Sequence, residues 1–324
     1  AALAEFLGFI DIAHWLSTSS TLRNIIFTPI FIILGAIIVD QGVHAGIERW
    51  SARLMPILLI MLLGLVVYIL QQEGAQAGIT LYLVPDFSQV TDPKLIISAM
   101  GQAFFSLAIG VGSMMAYGSY MPKGQGIGKL VVSITLLDTF IAFIAGLLII
   151  PALFVAQHNG QEVFSNGQLI GEGQLIFQIL PTLFNSMGAV GLLVSFTFFA
   201  LLSIAALTST ISSTEVPVAY LVEDKKVSRK RATWLVSGFV FIASMILIAF
   251  FEQLFGLVIQ LLTTILQPLM SLFYFAVIGW IWQRGNRLSR LAVVNANTSL
   301  KLLGFYLRFI CPILLSVVFI NIAF

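Results

Sequence analysis

An all-α, polytopic membrane protein is what this 324-residue sequence predicts, and three observations carry that reading. The first is composition: 59% of the residues are hydrophobic and 9% are charged, where an ordinary globular domain is about 25% charged. Mean hydropathy is +1.03. The second is length: apolar runs of about 20 residues, enough to cross a bilayer as a helix, recur along the whole chain. The third is the loops, because Lys and Arg crowd alternate connections.

The runs give eight spans, at about 25–39, 53–71, 95–117, 128–154, 189–213, 232–251, 254–282 and 302–323. The crowded connections hold Arg49 and Arg53, then Lys123 and Lys129, then Lys225, Lys226, Arg229, Lys230 and Arg231, then Arg284, Arg287, Arg290, Lys301 and Arg308. The other connections hold only Arg23 and Lys94. The positive-inside rule makes the crowded set cytoplasmic and places both chain ends outside. Trp50, Trp234, Trp280 and Trp282 lie near the cytoplasmic ends of spans, where an interfacial aromatic belt belongs. The implied partner is the lipid bilayer. The net charge of +2 makes no case for nucleic acid, because the basic residues sit in short loops. A lone Cys311 excludes an intrachain disulfide, and His14, His44 and His158 are too scattered for a metal site.

In chain order, residues 1–23 form a short amphipathic stretch (Phe6, Leu7, Phe9, Ile10 and Ile12 beside Glu5 and Asp11) that reads as an extracellular connection. With Ala at position 1, the chain reads as the C-terminal part of something longer. The first two spans are joined by a tight cytoplasmic loop, DQGVHAGIERWSARLMP, and Pro56 enters the second span early, where its missing N–H costs little. In the outer loop that follows, Asp92-Pro93 is a turn or helix-start signal.

The third span is different. Residues 99–120, AMGQAFFSLAIGVGSMMAYGSY, are long enough to cross, yet Ser106, Ala108, Gly110, Gly112 and Ser113 stand where a simple anchor carries Leu or Ile. Lipid offers no partner to exposed backbone, so irregular structure at membrane depth is tolerated only where it lines a cavity or is buried in protein. A weak-centred span therefore points to a transporter-type binding site. Farther on, the outer segment 156–187 places Leu175, Ile176, Ile179, Leu180, Leu183 and Phe184 at helical spacing interrupted by Pro181. It reads equally as a surface hairpin resting on the membrane or as a lid over an outward vestibule.

Two acids fall inside spans, Asp138 and Glu215. A carboxylate at mid-bilayer costs roughly 2.5–3.5 kcal/mol on insertion scales and normally faces a cavity with a partner. Asp138 lies near the midplane, and no Lys, Arg or His shares that depth in these spans. Its partner is then a bound cation, a proton or a residue outside this sequence; the structural alternative is a protonated Asp bonded to a neighbouring hydroxyl. Glu215, nearer the cytoplasmic end of its helix, reads equally as a satisfied end-of-helix carboxylate or a gating group. In AALTSTISSTE (205–215), Ala205, Thr208, Ser209 and Ser212 share one helix face. Two hydroxyls and the Ala205 carbonyl make an oxygen cluster suited to a hard alkali cation, with helix–helix contact as the alternative. Catalysis fails on inventory: the two acids sit at different depths, and no span holds a His.

These motifs together resemble the bacterial branch of the neurotransmitter:sodium symporters. The resemblance covers roughly 24–323 and rests on GVHAGIERWSARLMP, LVPDFSQV, AMGQAFFSLAIGVGSMMAYGSY, LLDTFIAFIAGLLIIP, GEGQLIFQILPTLF, ALTSTISSTEV and LRFICPILLSVVFIN, in that order. It implies one transmembrane domain belonging to a bundle of two inverted five-helix repeats (the LeuT type). About 24–71 then correspond to family helices four and five, about 95–282 to the second repeat (helices six to ten), and about 302–323 to helix eleven. Helices one to three have no counterpart here, so half of each sodium site would lie outside this sequence.

Residue by residue, the resemblance makes Phe105 the lid over substrate and Ser106 a ligand of the first sodium, with Ala108 and Val111 lining the substrate pocket. Asp138 completes the first sodium site, and its charge replaces the chloride used by animal members. Ala205, Thr208 and Ser209 bind the second sodium, with Ser209 and Ser213 also facing substrate. Gln102 belongs to the outer gate, and Tyr117, Ser119, Tyr120 and Glu223 to the inner gate. Two departures stand out: Val111 replaces a common aromatic, and Ile259, beside Gln260, occupies the outer-gate acid position. The implied function is sodium-coupled uptake of an amino acid or related small solute across a bacterial inner membrane. The alternatives are a non-transporting scaffold or sensor, and proton coupling through Asp138.

Overall fold

The computed structural model describes residues 21–85, 87–121, 127–161, 163–165, 168–169, 176, 180–281 and 304–323. It is almost wholly helical. Six helices among the described residues are long and apolar enough to cross a membrane: Thr21–Asp40, Val43–Leu70, Gly128–His158, Gly188–Glu223, Arg229–Ala249 and Gln253–Ile281. The third predicted span, which breaks in the middle, and the shorter apolar helix Tyr306–Ile320 account for the other two expected spans. Large exposed side chains such as Ile60, Leu136 and Phe239 mark surfaces that only lipid or further protein can cover. The chain is an integral membrane protein.

The polypeptide divides into two compact units. The first takes the chain up to Pro85 with Phe140–Thr214 and Arg229–Phe241. Its opening helix, α1 (Thr21–Asp40), is apolar all round and stays continuous through Pro29. At its C-terminal end the Arg229 guanidinium donates from Nε to the Val39 carbonyl at 2.9 Å, where a cation favours the helix dipole. The loop expected next is instead wound: a π turn, Val43–Glu48, leads straight into α2 (Arg49–Leu70). Pro56 therefore lies inside a helix, not at its start. The stretch AGIERWSAR holds mostly good helix formers, which outweigh the loop signal of Gly42. A short helix, α3 (Ala75–Leu83), follows.

The core of this unit joins α2 and α3 to the later part of α6 (Ile127–His158), to α7 (Leu180–Ser186) and to the first part of α8 (Gly188–Glu223). Phe184 and Phe198, each 2% exposed, meet at 5.6 Å between ring centroids. Between α6 and α7 lies a two-residue hairpin, β1 (Phe164–Ser165) against β2 (Gln168–Leu169). The stripe expected across 175–184 is split: Leu175 and Ile179 lie outside the described residues, while Leu180, Leu183 and Phe184 are buried in the core with Ile176 packed beside them. Pro181 does not interrupt a helix. It sits in the first turn of α7, where a proline lacks no needed hydrogen bond.

The second unit takes Asp86–Thr139, Glu215–Ser228 and the chain from Ile242. It opens on a single 3-10 turn, Phe87–Gln89. Asp92 then caps α4 (Pro93–Ser106), its carboxylate accepting the Lys94 N–H at 2.9 Å with Pro93 in the first turn. The chain unwinds over 107–112 and resumes as α5 (Ser113–Ser119). Beyond α9 (Arg229–Ala249), one long helix is built from α10 (Phe251–Ile259), a π turn (Gln260–Leu266), α11 (Gln267–Ala276) and a second π turn (Val277–Ile281). The π turn Tyr306–Ile310 and α12 (Cys311–Ala323) complete the unit, with α12 packing on α11 and α4. The amphipathic stretch before Thr21, and Lys123, Trp282, Arg284, Arg287, Arg290 and Lys301, lie outside the described residues.

Candidate binding site

The break in the third span is a left-handed turn. Ala108 has φ 49°, and Gly110 and Gly112 both have φ 92°. Side chains other than glycine rarely adopt this region, which explains the glycines and makes Ala108 a locally strained residue. The turn is tightened by Ala108 N–H to Phe105 carbonyl at 3.0 Å and Ile109 N–H to Phe104 carbonyl at 3.2 Å. The expected weak centre is thus a real break, and it carries Ser106 at the last residue of α4.

Ser106 and Asp138 come together. The Ser106 hydroxyl donates to Asp138 Oδ2 at 2.7 Å, a short bond between residues 32 positions apart. A hydroxyl and a carboxylate both keep lone pairs after such a bond, so the pair presents oxygen to a further ligand. Hard cations take oxygen ligands of this kind. Around it Phe105 is 56% exposed and Val111 44% exposed, leaving both side chains accessible. Gln102 is likewise exposed on α4.

The second oxygen cluster lies in the first unit and is local to one helix. Thr208 Oγ1 donates to the Ala205 carbonyl at 2.9 Å, one turn back. Thr208 is 8% exposed, while Ser209 and Ser213 are exposed on α8. Among the described residues no hydrogen bond ties the Ser209 or Ser213 side chain to another, so their assignment stays with the resemblance.

Just beyond α5 the structure makes a pairing that sequence reading missed. The Tyr120 hydroxyl donates to Glu215 Oε1 at 2.7 Å, and Glu215 is 0% exposed. Tyr120 was expected at the inner gate and Glu215 was left open between two roles; 95 positions apart, they carry no sequence signal of contact. Ser119 bonds its own helix through the Ala116 carbonyl at 2.7 Å. Glu223 ends α8 exposed. Beyond it, Lys225 pairs with Asp224 at 2.8 Å, and hydrogen bonds to Asp224 and then Tyr220 hold its ammonium above the usual lysine range.

Comparison with known proteins decides the class. The model of the family described as "Sodium:neurotransmitter symporter family" matches residues 8–324. The chain belongs to the sodium:neurotransmitter symporter family. It is 32% identical over 314 residues to an uncharacterized sodium-dependent transporter of Haemophilus influenzae, covering 94% of this chain and 66% of that protein. It is 33% identical over 311 residues to the uncharacterized sodium-dependent transporter YhdH of Bacillus subtilis, covering 90% of this chain and 65% of that one. Among solved structures, the crystal structure of MhsT in complex with L-phenylalanine superposes with a TM-score of 0.75 at 33% identity, over 91% of this chain and 67% of MhsT. The chain thus spans about two thirds of the length of these relatives. Members of the family are symporters and not enzymes. The structural match also supports the inverted-repeat bundle expected from the motifs.

Proposed function

We propose that the protein that carries this chain is a sodium-coupled symporter that imports an amino acid or related small solute by alternating access. The observation that carries the reading is the Ser106 hydroxyl held on the Asp138 carboxylate beside a left-handed break, in a member of a sodium symporter family. The cation is cargo. Ser106 and Asp138 contribute to a first sodium site, and the Ala205 carbonyl with Thr208 and Ser209 to a second. The Asp138 charge offsets the cation in place of chloride. The accessible Phe105, with Ala108 and Val111, lines the substrate path at the break; Ser209 and Ser213 are assigned to substrate on the resemblance alone. MhsT binding L-phenylalanine supports an amino-acid cargo.

Gln102 serves the outer gate, where Ile259 leaves no acid for a salt bridge. Tyr117, Ser119, Tyr120 and Glu223 serve the inner gate. Bacterial relatives support placement in the cell membrane. The test is uptake of labelled amino acids into liposomes holding the full-length protein, with an inward sodium gradient or with choline. Uptake that requires sodium is expected. Uptake unchanged in choline overturns the reading, and uptake then driven by a pH gradient assigns Asp138 to protons instead.

A further inference from the structure

The break at 107–112 is formed by its own glycines, yet another element holds it. In a continuous helix the Ile109 carbonyl would accept an N–H four residues on; the break frees it, and at membrane depth it must find a partner. That partner is the Ser271 hydroxyl of α11, at 3.0 Å. One turn earlier on the same helix, Gln267 Nε2 reaches the Phe104 carbonyl at 3.4 Å, before the break. Ser271 is 1% exposed. Gln267, Ser271 and Tyr274 fall at i, i+4 and i+7 and share one face of an otherwise apolar helix.

Gly110 is fitted to that face: a Cβ there would collide with the Gln267 carbonyl and the Ser271 hydroxyl. The π turn Gln260–Leu266 lies immediately before the stripe, and such turns alter the register of the helix that follows. Ser271 also has an alternative: the Gln267 carbonyl accepts the same hydroxyl at 2.8 Å. A hydroxyl has one proton, so it is shared between the two carbonyls or passes from one to the other. The bond to the break can therefore open without leaving Ser271 unpaired.

We propose that Gln267 and Ser271 form a latch for the broken span, positioning residues that hold 107–112 unwound and so keep the Ser106 hydroxyl against Asp138. Its role in transport rests on the symport reading; the latch itself does not. The test is thiol labelling of Leu107→Cys in the full-length Cys311→Ser protein in liposomes, with Ser271→Ala and Gln267→Leu added singly and together. Loosening of the break is expected to raise the labelling rate about five-fold for the Ser271 bond, the size of one modest hydrogen bond. Ser271→Thr, which keeps the hydroxyl, is expected to restore the parent rate. Equal rates in parent and double variant overturn the latch. If the double variant does not fold, Gly110→Ala must lift the segment from α11 and raise the rate; an unchanged rate there also overturns it. Rates are taken in sodium and in choline. A parent rate indifferent to sodium counts against the symport reading, while the comparison of parent with variants still decides the latch.

Discussion

Asp138 and Glu215 are the two carboxylates that the sequence places within spans, and they finish in opposite surroundings. Asp138 is partly exposed and receives one hydroxyl, from Ser106. Glu215 is fully buried and receives one from Tyr120. Both bonds are 2.7 Å long, so bond length does not separate them. Access does. A carboxylate that is only partly covered can take a cation as a further partner, whereas a fully buried one serves packing. The difference supports the proposed cation role of Asp138 and gives Glu215 a part in packing.

Variants at these two acids and their partners break or sharpen this contrast. The largest effect is expected at Asp138. Asp138→Ala should weaken sodium activation of uptake by about 100-fold or more, at the top of the range for loss of metal-site groups. Asp138→Asn, which still accepts from Ser106, should fall between. An unchanged sodium titration for Asp138→Ala would remove the cation from this site. Glu215→Ala should instead lower stability by about 1–3 kcal/mol by removing a buried, hydrogen-bonded side chain, with sodium affinity unchanged. Thermal unfolding of the purified protein measures the first and sodium titration the second. A cycle of Tyr120→Phe and Glu215→Gln should show coupling of about 0.5–3 kcal/mol; additive effects would mean that the bond holds nothing.

The Thr208→Ala, Ser209→Ala double variant should weaken sodium binding about ten-fold, since ligands remain at the first site. Wild-type affinity would return this face to helix packing. The smallest effect belongs to Lys225→Ala, because its pair with Asp224 is solvent-exposed. Its raised pKa means that any stabilisation is complete at neutral pH and is lost only as pH rises through the lysine range. No change in unfolding temperature is expected at neutral pH; a clear drop would show that the loop carries more than charge.

Much of the fold is legible in the sequence. Each expected span is matched by helix, and the break at 107–112 was marked by its own glycines. The misreadings were local. By residue type alone Pro56 reads as an early residue of its span and Pro181 as an interruption, but the effect of each depends on where its helix begins. The latch on α11 leaves a readable trace, Gln267 and Ser271 one turn apart on an apolar helix, less conspicuous than the hydroxyls of 205–215.

By itself the sequence determined what depends on neighbours along the chain: apolar length, the left-handed turn, and the Thr208 hydroxyl on a carbonyl three residues back. The helical period sets these contacts, and it is the same in any fold. Only the tertiary structure decided which helices face each other. Ser106 meets Asp138 across 32 residues, Tyr120 meets Glu215 across 95, and Ser271 meets Ile109 across 162. Such pairs depend on how one helix is rotated and shifted against another. That is a property of packing, and no single segment encodes it.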